Sequence, residues 1–280
     1  MELKHTAARD GRLSSFLKEE MKMSTGLINR LKWQEKIFVN GAPQHNDFQV
    51  KKGDVITALL DEEEPNYPPQ DGDVTVLYED DHLMAVDKPA GMLIHPSHSK
   101  NDGTLANYVL GYFQRTGQKC AFHPVTRLDR DTFGIVLLTK NSHVHALMQQ
   151  TALQKTYHAL VAGGPAEDAG LIDAPIARKP LPSLLREVRP DGKQSLTEFA
   201  VLQRLEGITK LALRPVTGRT HQLRVHCAYK GFPILGDPQY GNGAADFGLA
   251  HQMLCAKRLE FIHPITGEEL VLESQMDAKI

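Results

Sequence analysis

A short run of alternating charges, residues 127–132 (RLDRDT), stands directly before the apolar run of residues 134–138. The apolar run is typical of a buried strand, so the charged run is expected to form a loop held rigidly at the edge of a sheet. Asp129 lies between two arginines there, and nearby positive charge favours the ionised carboxylate. Such a carboxylate suits a nucleophile or general base better than a proton donor. For these six residues alone, a surface lattice of ion pairs is the more common interpretation.

Five further segments change that interpretation, because they occur together with the charged run in one chain. They are residues 87–91 (DKPAG), 155–159 (KTYHA), 218–226 (GRTHQLRVH), 231–241 (GFPILGDPQYG) and 263–268 (HPITGE). Each segment alone is a weak signal, whereas all six in this order are specific. Together they resemble the RluA/RluD-type pseudouridine synthases, over the chain from about residue 74 to the C-terminus.

The resemblance implies an isomerase that converts uridine in structured RNA to pseudouridine. The uracil leaves the sugar through nitrogen and returns through carbon, so neither a cofactor nor a metal is expected. Asp129 matches the essential carboxylate of the family; attack on the sugar, attack on the base and abstraction of a sugar proton all stay open. Tyr157 matches a tyrosine whose phenol can stack on the uracil and assist proton movement. Arg219 matches the arginine that pairs with the aspartate, and these three are the expected catalytic residues.

Five other residues are implied as substrate-binding residues. Leu223 matches an aliphatic side chain that covers the base and excludes water. Arg127 matches a residue that helps to fill the space vacated by the extruded nucleotide. Lys155, Arg214 and Arg224 are then expected to contact phosphates along the cleft.

Two departures from the family pattern lie beside the charged loop. Thr126 stands where relatives usually carry histidine, and Phe133 where they carry serine. Neither replaces the carboxylate, so they bear on the geometry of the loop and its RNA preference more than on the reaction.

The chain divides into three expected regions. Residues 1–60 resemble the S-four-like RNA-binding module, through Arg12-Leu13, residues 39–41 and residues 52–56. An acidic and proline-rich linker is expected over residues 61–73, and a catalytic domain over residues 74–280.

Apolar periodicity predicts an α+β fold with a mixed, largely antiparallel central sheet flanked by helices. Around Leu13 and Leu27 it predicts two short helices, and later helices over 105–113 and 142–152. The expected strands cover residues 37–39, 55–60, 74–78, 83–86, 157–161, 197–202 and 210–213.

Composition places the chain among folded cytoplasmic proteins. Hydrophobic residues make up 41% and charged residues 24%, and the three cysteines do not form a disulfide framework. There is no signal peptide or membrane-spanning run, and a monomer is the default expectation. The net charge of −2 does not indicate a nucleic-acid partner, but residues 1–60 hold ten Lys and Arg against seven Asp and Glu, a formal charge of +3. The presence of this N-terminal module modestly favours ribosomal RNA over transfer RNA as the partner, and its positive charge is weak further support.

Two other functions compete with this prediction. A non-catalytic RNA-binding or ribosome-assembly protein could share the fold, but the joint retention of Asp129, Tyr157 and Arg219 favours an enzyme. The pair His143 and His145 suggests a metal hydrolase, but no further ligands recur at a matching spacing.

Overall fold

The computed structural model describes residues 1–97, 101–241 and 248–279. The architecture is the expected α+β fold, with one large, mostly antiparallel sheet and few helices. Within the described ranges, no helix is both long enough and apolar enough to cross a membrane.

The first 60 residues form a four-stranded sheet of their own, with strand order β1-β6-β3-β4. A separate apolar core, which includes Phe16, Leu31 and Ile56, packs beneath it. The two predicted short helices are present, and the first continues as a π-helical turn over Phe16–Glu20. The elements are β1 (Glu2–Thr6), β2 (Gly11–Arg12), α1 (Leu13–Ser15), α2 (Thr25–Trp33), β3 (Ile37–Val39), β4 (Ala42–Pro43), β5 (Gln49–Val50) and β6 (Val55–Leu59).

Residues 61–73 have no helix or strand but are held against the rest of the chain. Asn66 exchanges two hydrogen bonds of 2.9 Å with the backbone of Phe122, and the Asn107 side chain donates to the carbonyl of Pro68. A Cβ on Gly111 would lie 1.9 Å from the carbonyl oxygen of Gln70. Glycine is therefore needed where this segment crosses the third helix, and the segment is a fixed strap.

The remaining strands form a ten-stranded sheet and a separate two-stranded hairpin, β13 with β14. The large sheet has the order β12-β15-β16-β11-β17-β10-β8-β7, with β18 beside β17 and β9 beside β10. The elements are β7 (Thr75–Glu79), β8 (Leu83–Lys88), α3 (Leu105–Arg115), β9 (His123–Pro124), β10 (Phe133–Thr139), α4 (Ser142–Met148), β11 (Gln154–Ala162), β12 (Ala169–Asp173), β13 (Ile176–Arg178), β14 (Arg186–Val188), β15 (Leu196–Leu205), β16 (Ile208–Pro215), α5 (Gln222–Tyr229), β17 (Leu254–Ile262) and β18 (Glu269–Glu273).

The predicted strands and helices of this region are confirmed, although one helix is shorter than expected. Helix α4 ends at Met148 instead of residue 152, since the following residues form a turn in which the Thr151 hydroxyl donates to the carbonyl of Leu147. Helix α5, the β13–β14 hairpin and strands β17 and β18 had no counterpart in the sequence prediction.

Candidate active site

Strand register brings the charged loop and the expected tyrosine to the same level of the sheet. Strand β17 lies between β10 and β11, and Gly134 and Tyr157 both pair with Ala256 from its two sides. A Cβ on Gly134 would lie 2.4 Å from the Ala256 carbonyl oxygen, so only glycine lets the two strands meet there. The loop that carries Asp129 therefore ends at the same level of the sheet as Tyr157, with strand β17 between them.

Asp129 is held through one of its two carboxylate oxygens. The Nη1 atom of Arg224 donates to Oδ2 at 2.9 Å, and Nε2 of His221 lies 3.8 Å from the same oxygen. Oδ1 has no hydrogen-bond partner among residues 1–97, 101–241 and 248–279. The carboxylate is therefore held through Oδ2, and its second oxygen is left without a partner in the described structure.

Arg224 connects Asp129 to a second, fully buried carboxylate. Its Nε and Nη2 atoms donate to the two oxygens of Asp237 at 2.7 and 2.8 Å, and Nη2 also donates to Gln239 at 2.8 Å. Burial alone would lower the pKa of Arg224, but the bonds to Asp237 and Asp129 raise it. Burial would likewise raise the pKa of Asp237, but the guanidinium lowers it. Both groups are charged, and the two-pronged pairing fixes the guanidinium plane.

A buried lysine at the end of strand β8 holds the charged loop in place. The ammonium of Lys88, which has no exposed surface, donates to the carbonyls of Pro89, Met92 and Arg130 at 2.8–2.9 Å. Burial lowers its pKa to about 8, against the opposing effect of Asp131 and Asp129. Lys88 thus ties the backbone next to Asp129 to the end of strand β8.

Tyr157 stays protonated at neutral pH. Burial raises the pKa of its phenol to about 12, and the charge of Asp129 acts in the same direction. Among the residues that the structure describes, its hydroxyl has no hydrogen-bond partner. The phenol is therefore available to stack on a bound base or to donate a proton.

Most of the expected site residues line one cleft of about 560 Å³. Leu223 is nearly buried in the wall of this cleft. Lys155 is partly buried there, and burial lowers the pKa of its ammonium. The expected residues in the lining are Arg127, Asp129, Lys155, Tyr157, Arg219, Leu223 and Arg224. Three of the seven, Arg127, Lys155 and Arg219, are cations whose ammonium or guanidinium has no carboxylate partner within the described ranges.

The structure places three arginines differently from the expectation. Arg219 does not pair with Asp129, because its Nε donates to the carbonyl of Gln194 at 3.2 Å in the exposed turn before α5. Arg224 takes that place, and its side chain, expected to contact phosphate, is only 5% exposed and lies against carboxylates. Arg214 lies outside the cleft lining, where it contacts Gln154 and Glu198 on the sheet surface.

Comparison with known proteins shows the family of the chain. The family model described as RNA pseudouridylate synthase matches residues 82–229. An uncharacterized RNA pseudouridine synthase of Bacillus subtilis is 36% identical over 278 residues, which cover 96% of this chain and 91% of that protein. The chain belongs to the RNA pseudouridine synthase family.

Two relatives of this pseudouridine synthase have names that specify an RNA. Ribosomal large subunit pseudouridine synthase D of Xanthomonas campestris is 39% identical and covers 72% of this chain and 66% of its own length. Ribosomal large subunit pseudouridine synthase C of Vibrio cholerae is 30% identical, over 96% of this chain and 90% of that protein. The human RNA pseudouridylate synthase domain containing 1 shares the fold, with a TM-score of 0.60, 23% identity, and 76% and 93% coverage. The enzyme isomerises uridine in RNA, as its family does.

Sequence reasoning assigned no role in the site to His221, Asp237 or Lys88. His221 and Arg224 are three residues apart, a spacing that would place both on one side of a helix. This spacing was the sequence signal that could have indicated their shared contact with Asp129. The metal-hydrolase alternative finds no support in the geometry, since no three His, Cys, Asp or Glu side chains of the described ranges are grouped as metal ligands.

Proposed function

We propose that this pseudouridine synthase acts on a uridine in large-subunit ribosomal RNA, with Asp129 as its catalytic carboxylate. The observation that carries the role of Asp129 is the unequal use of its oxygens. Oδ2 is bound to Arg224, and Oδ1 has no partner in the described structure. A carboxylate oxygen that is fixed in direction beside a cleft is what a nucleophile or base requires.

The reaction constrains what the other residues have to do. The bond from the sugar to N1 of uracil breaks, the base turns in place, and a bond from C5 to the sugar forms. The proton on C5 is lost and one is gained at N1, so the atoms balance without an added reactant. Tyr157, protonated and beside Asp129, is proposed to stack on the turning base and assist these proton transfers. Leu223 is proposed to cover the base from the cleft wall.

The cleft also carries the charge that an RNA backbone needs. Arg127, Lys155 and Arg219 line it, and cations of this kind neutralise phosphates. Arg127 is proposed to occupy the space of the flipped nucleotide. Preference for large-subunit ribosomal RNA is supported by the names of the Xanthomonas and Vibrio relatives, and is a proposal for this chain.

The N-terminal residues 1–60 are proposed to form an RNA-binding domain joined by the strap to the catalytic domain of residues 74–280. Trp33, the single tryptophan, is 85% exposed at the end of α2, next to the exposed cations Arg30 and Lys32. An exposed indole beside cations can stack on an unpaired base.

The catalytic assignment is tested by Asp129→Asn, which keeps the size and loses the charge of the side chain. Purified variant and wild type are incubated with a large-subunit ribosomal RNA transcript, and pseudouridine is quantified by carbodiimide-dependent reverse-transcription stops. The proposal expects no product from the variant at equal RNA affinity. Turnover by Asp129→Asn within about tenfold of wild type would reject Asp129 as the catalytic carboxylate.

A further inference from the structure

Tyr240 links the β13–β14 hairpin to the active site. Its hydroxyl oxygen accepts the backbone N–H of Arg186, in β14, at 2.9 Å. The same oxygen lies 2.9 Å from Nδ1 of His221, whose other ring nitrogen faces Asp129. The tyrosine and histidine rings meet edge to face, with centroids 5.6 Å apart. A chain of polar contacts thus runs from the hairpin backbone to the carboxylate.

The contacts of Tyr240 decide which nitrogen of His221 carries the proton. The tyrosine oxygen accepts from Arg186, and its O–H can donate to Nδ1 of His221 at 2.9 Å; the opposite direction would leave that O–H without an acceptor among the described residues. A nitrogen that accepts a hydrogen bond has no proton, so the imidazole proton resides on Nε2. Nε2 lies 3.8 Å from Oδ2 of Asp129.

The surroundings of His221 favour its neutral form. Burial lowers its pKa; Asp129 raises it, Arg224 and Arg186 lower it, and Asp237 raises it by a smaller amount. These charges come from every element that packs around the ring: the charged loop, α5, β14 and the segment after α5. The net effect is a neutral imidazole, which can still donate through Nε2.

The backbone of His221 is held in a costly conformation to achieve this placement. Its φ of +57° and ψ of +19° lie in the left-handed region, and it precedes α5 without capping the helix through its side chain. Backbone strain of this kind in a non-glycine residue is concentrated at functional sites. The distance of 3.8 Å is longer than a hydrogen bond, so an approach of roughly 1 Å would complete it.

We propose that His221 is a positioning residue for Asp129, a second donor to Oδ2 beside Arg224, and that Tyr240 sets its tautomer and direction. The inference rests on the proposed role of Asp129. With two donors on Oδ2, the carboxylate cannot rotate about its Cβ–Cγ bond to exchange oxygens, and Oδ1 stays directed into the cleft. The substrate class and the chemistry are unchanged; His221 and Tyr240 determine how often the carboxylate is correctly oriented.

A double-mutant cycle separates this relay from a general structural role. The variants are Tyr240→Phe, His221→Ala and the pair together, and Tyr229→Phe on the exposed side of α5 is the matched control. Single-turnover rates at saturating enzyme give the chemical step, and binding is measured separately. Loss of one positioning hydrogen bond is expected to lower the rate about fivefold for Tyr240→Phe and about tenfold for His221→Ala, with RNA affinity within about twofold.

The decisive result is the double variant. If Tyr240 acts through His221, adding Tyr240→Phe to His221→Ala lowers the rate by no further factor beyond about twofold. Multiplication of the two losses, to about fiftyfold, would overturn the relay, as would a Tyr240→Phe rate equal to that of Tyr229→Phe. Activity that survives in Asp129→Asn would instead reject the proposed function itself, so the two failures are distinguishable.

A spectroscopic measurement on the unaltered enzyme covers the case in which a variant does not fold. Long-range nitrogen–proton correlation spectra of 15N-histidine-labelled protein distinguish the two neutral tautomers. The relay expects His221 to carry its proton on Nε2. A proton on Nδ1, or a fully protonated ring at pH 7.5, would contradict it.

Discussion

The guanidinium of Arg224 donates to the carboxylate of Asp129 at 2.9 Å across 95 positions of sequence, while holding Asp237 with its other two nitrogens. The arginine therefore joins the charged loop to the segment after α5. Its side chain is 5% exposed and that of Asp237 is completely buried, so the pair is shielded from solvent screening. The orientation of Asp129 and the stability of the fold depend on the same side chain.

Arg224→Ala is expected to destabilise the enzyme by about 3 kcal/mol, because it leaves Asp237 charged and unpaired in the interior. Urea unfolding at pH 7 measures the change in the free energy of unfolding. The control is Arg258→Ala, whose partners Glu260 and Glu273 lie at the surface and whose loss should lower the free energy of unfolding far less. Equal losses for the two variants would contradict a buried, structural ion pair at Arg224.

Arg219→Ala is expected to affect RNA binding more than chemistry. Its guanidinium is exposed at the cleft and does not touch Asp129, so the single-turnover rate should stay within about twofold of wild type. Loss of one phosphate contact should reduce the slope of log affinity against log salt by about one. Arg214→Ala, outside the cleft lining, is the matched control and should leave that slope unchanged. A rate loss of a hundredfold in Arg219→Ala would restore it as the partner of Asp129.

Lys88 is expected to make stability depend on pH above neutrality. Burial lowers its pKa from the ordinary lysine value of 10.5 to about 8 in the folded protein. Between these values the unfolded chain binds more protons than the native one, so stability increases as pH rises through that window. The gain is on the order of 3 kcal/mol across the whole window.

Lys88→Met removes this titration while keeping an apolar stem of similar length. The free energies of unfolding of the two proteins are compared from about pH 7.5 to 10.5 by urea denaturation. The difference should move in favour of the wild type as pH rises. A difference that stays constant over the range would mean that burial does not lower the pKa of Lys88 in the folded protein.

Trp33→Ala is expected to weaken RNA binding without changing the chemical step. Stacking of a base on an aromatic side chain is worth about 1–3 kcal/mol, so affinity should fall roughly five- to a hundredfold. Trp33→Phe keeps a stacking surface and should retain most of the affinity. Filter binding and single-turnover rates at saturating enzyme separate the two effects. Unchanged affinity in Trp33→Ala would remove α2 from the proposed RNA-binding surface.

The strands and the position of the cleft follow from local sequence. The apolar run after Asp129 forms strand β10, and the aromatic at position 157 lies in β11, as predicted. Both depend on short-range alternation and on glycine, which a single sequence displays directly. The pairing of Gly134 and Tyr157 with the same residue of β17 depends on long-range register, and no local pattern encodes it.

The arginine roles were missed because helix α5 was not foreseen. Its sequence lacks an apolar stripe, and it begins after a left-handed histidine instead of a capping residue. Without the helix, Arg219 and Arg224 are two equivalent cations of one motif. With it, Arg219 lies in an exposed turn, and Arg224 lies in the first turn of a buried helix that faces Asp129.

Mapping pseudouridine in cells with and without the gene tests whether the enzyme isomerises a uridine in large-subunit ribosomal RNA through Asp129. Carbodiimide-dependent reverse-transcription stops are read across ribosomal and transfer RNA after complementation with wild type or Asp129→Asn. We expect a discrete large-subunit site that is lost with the gene, returns with wild type and stays absent with Asp129→Asn. Restoration of the site by Asp129→Asn would contradict the catalytic assignment, and loss confined to transfer RNA would contradict the proposed substrate.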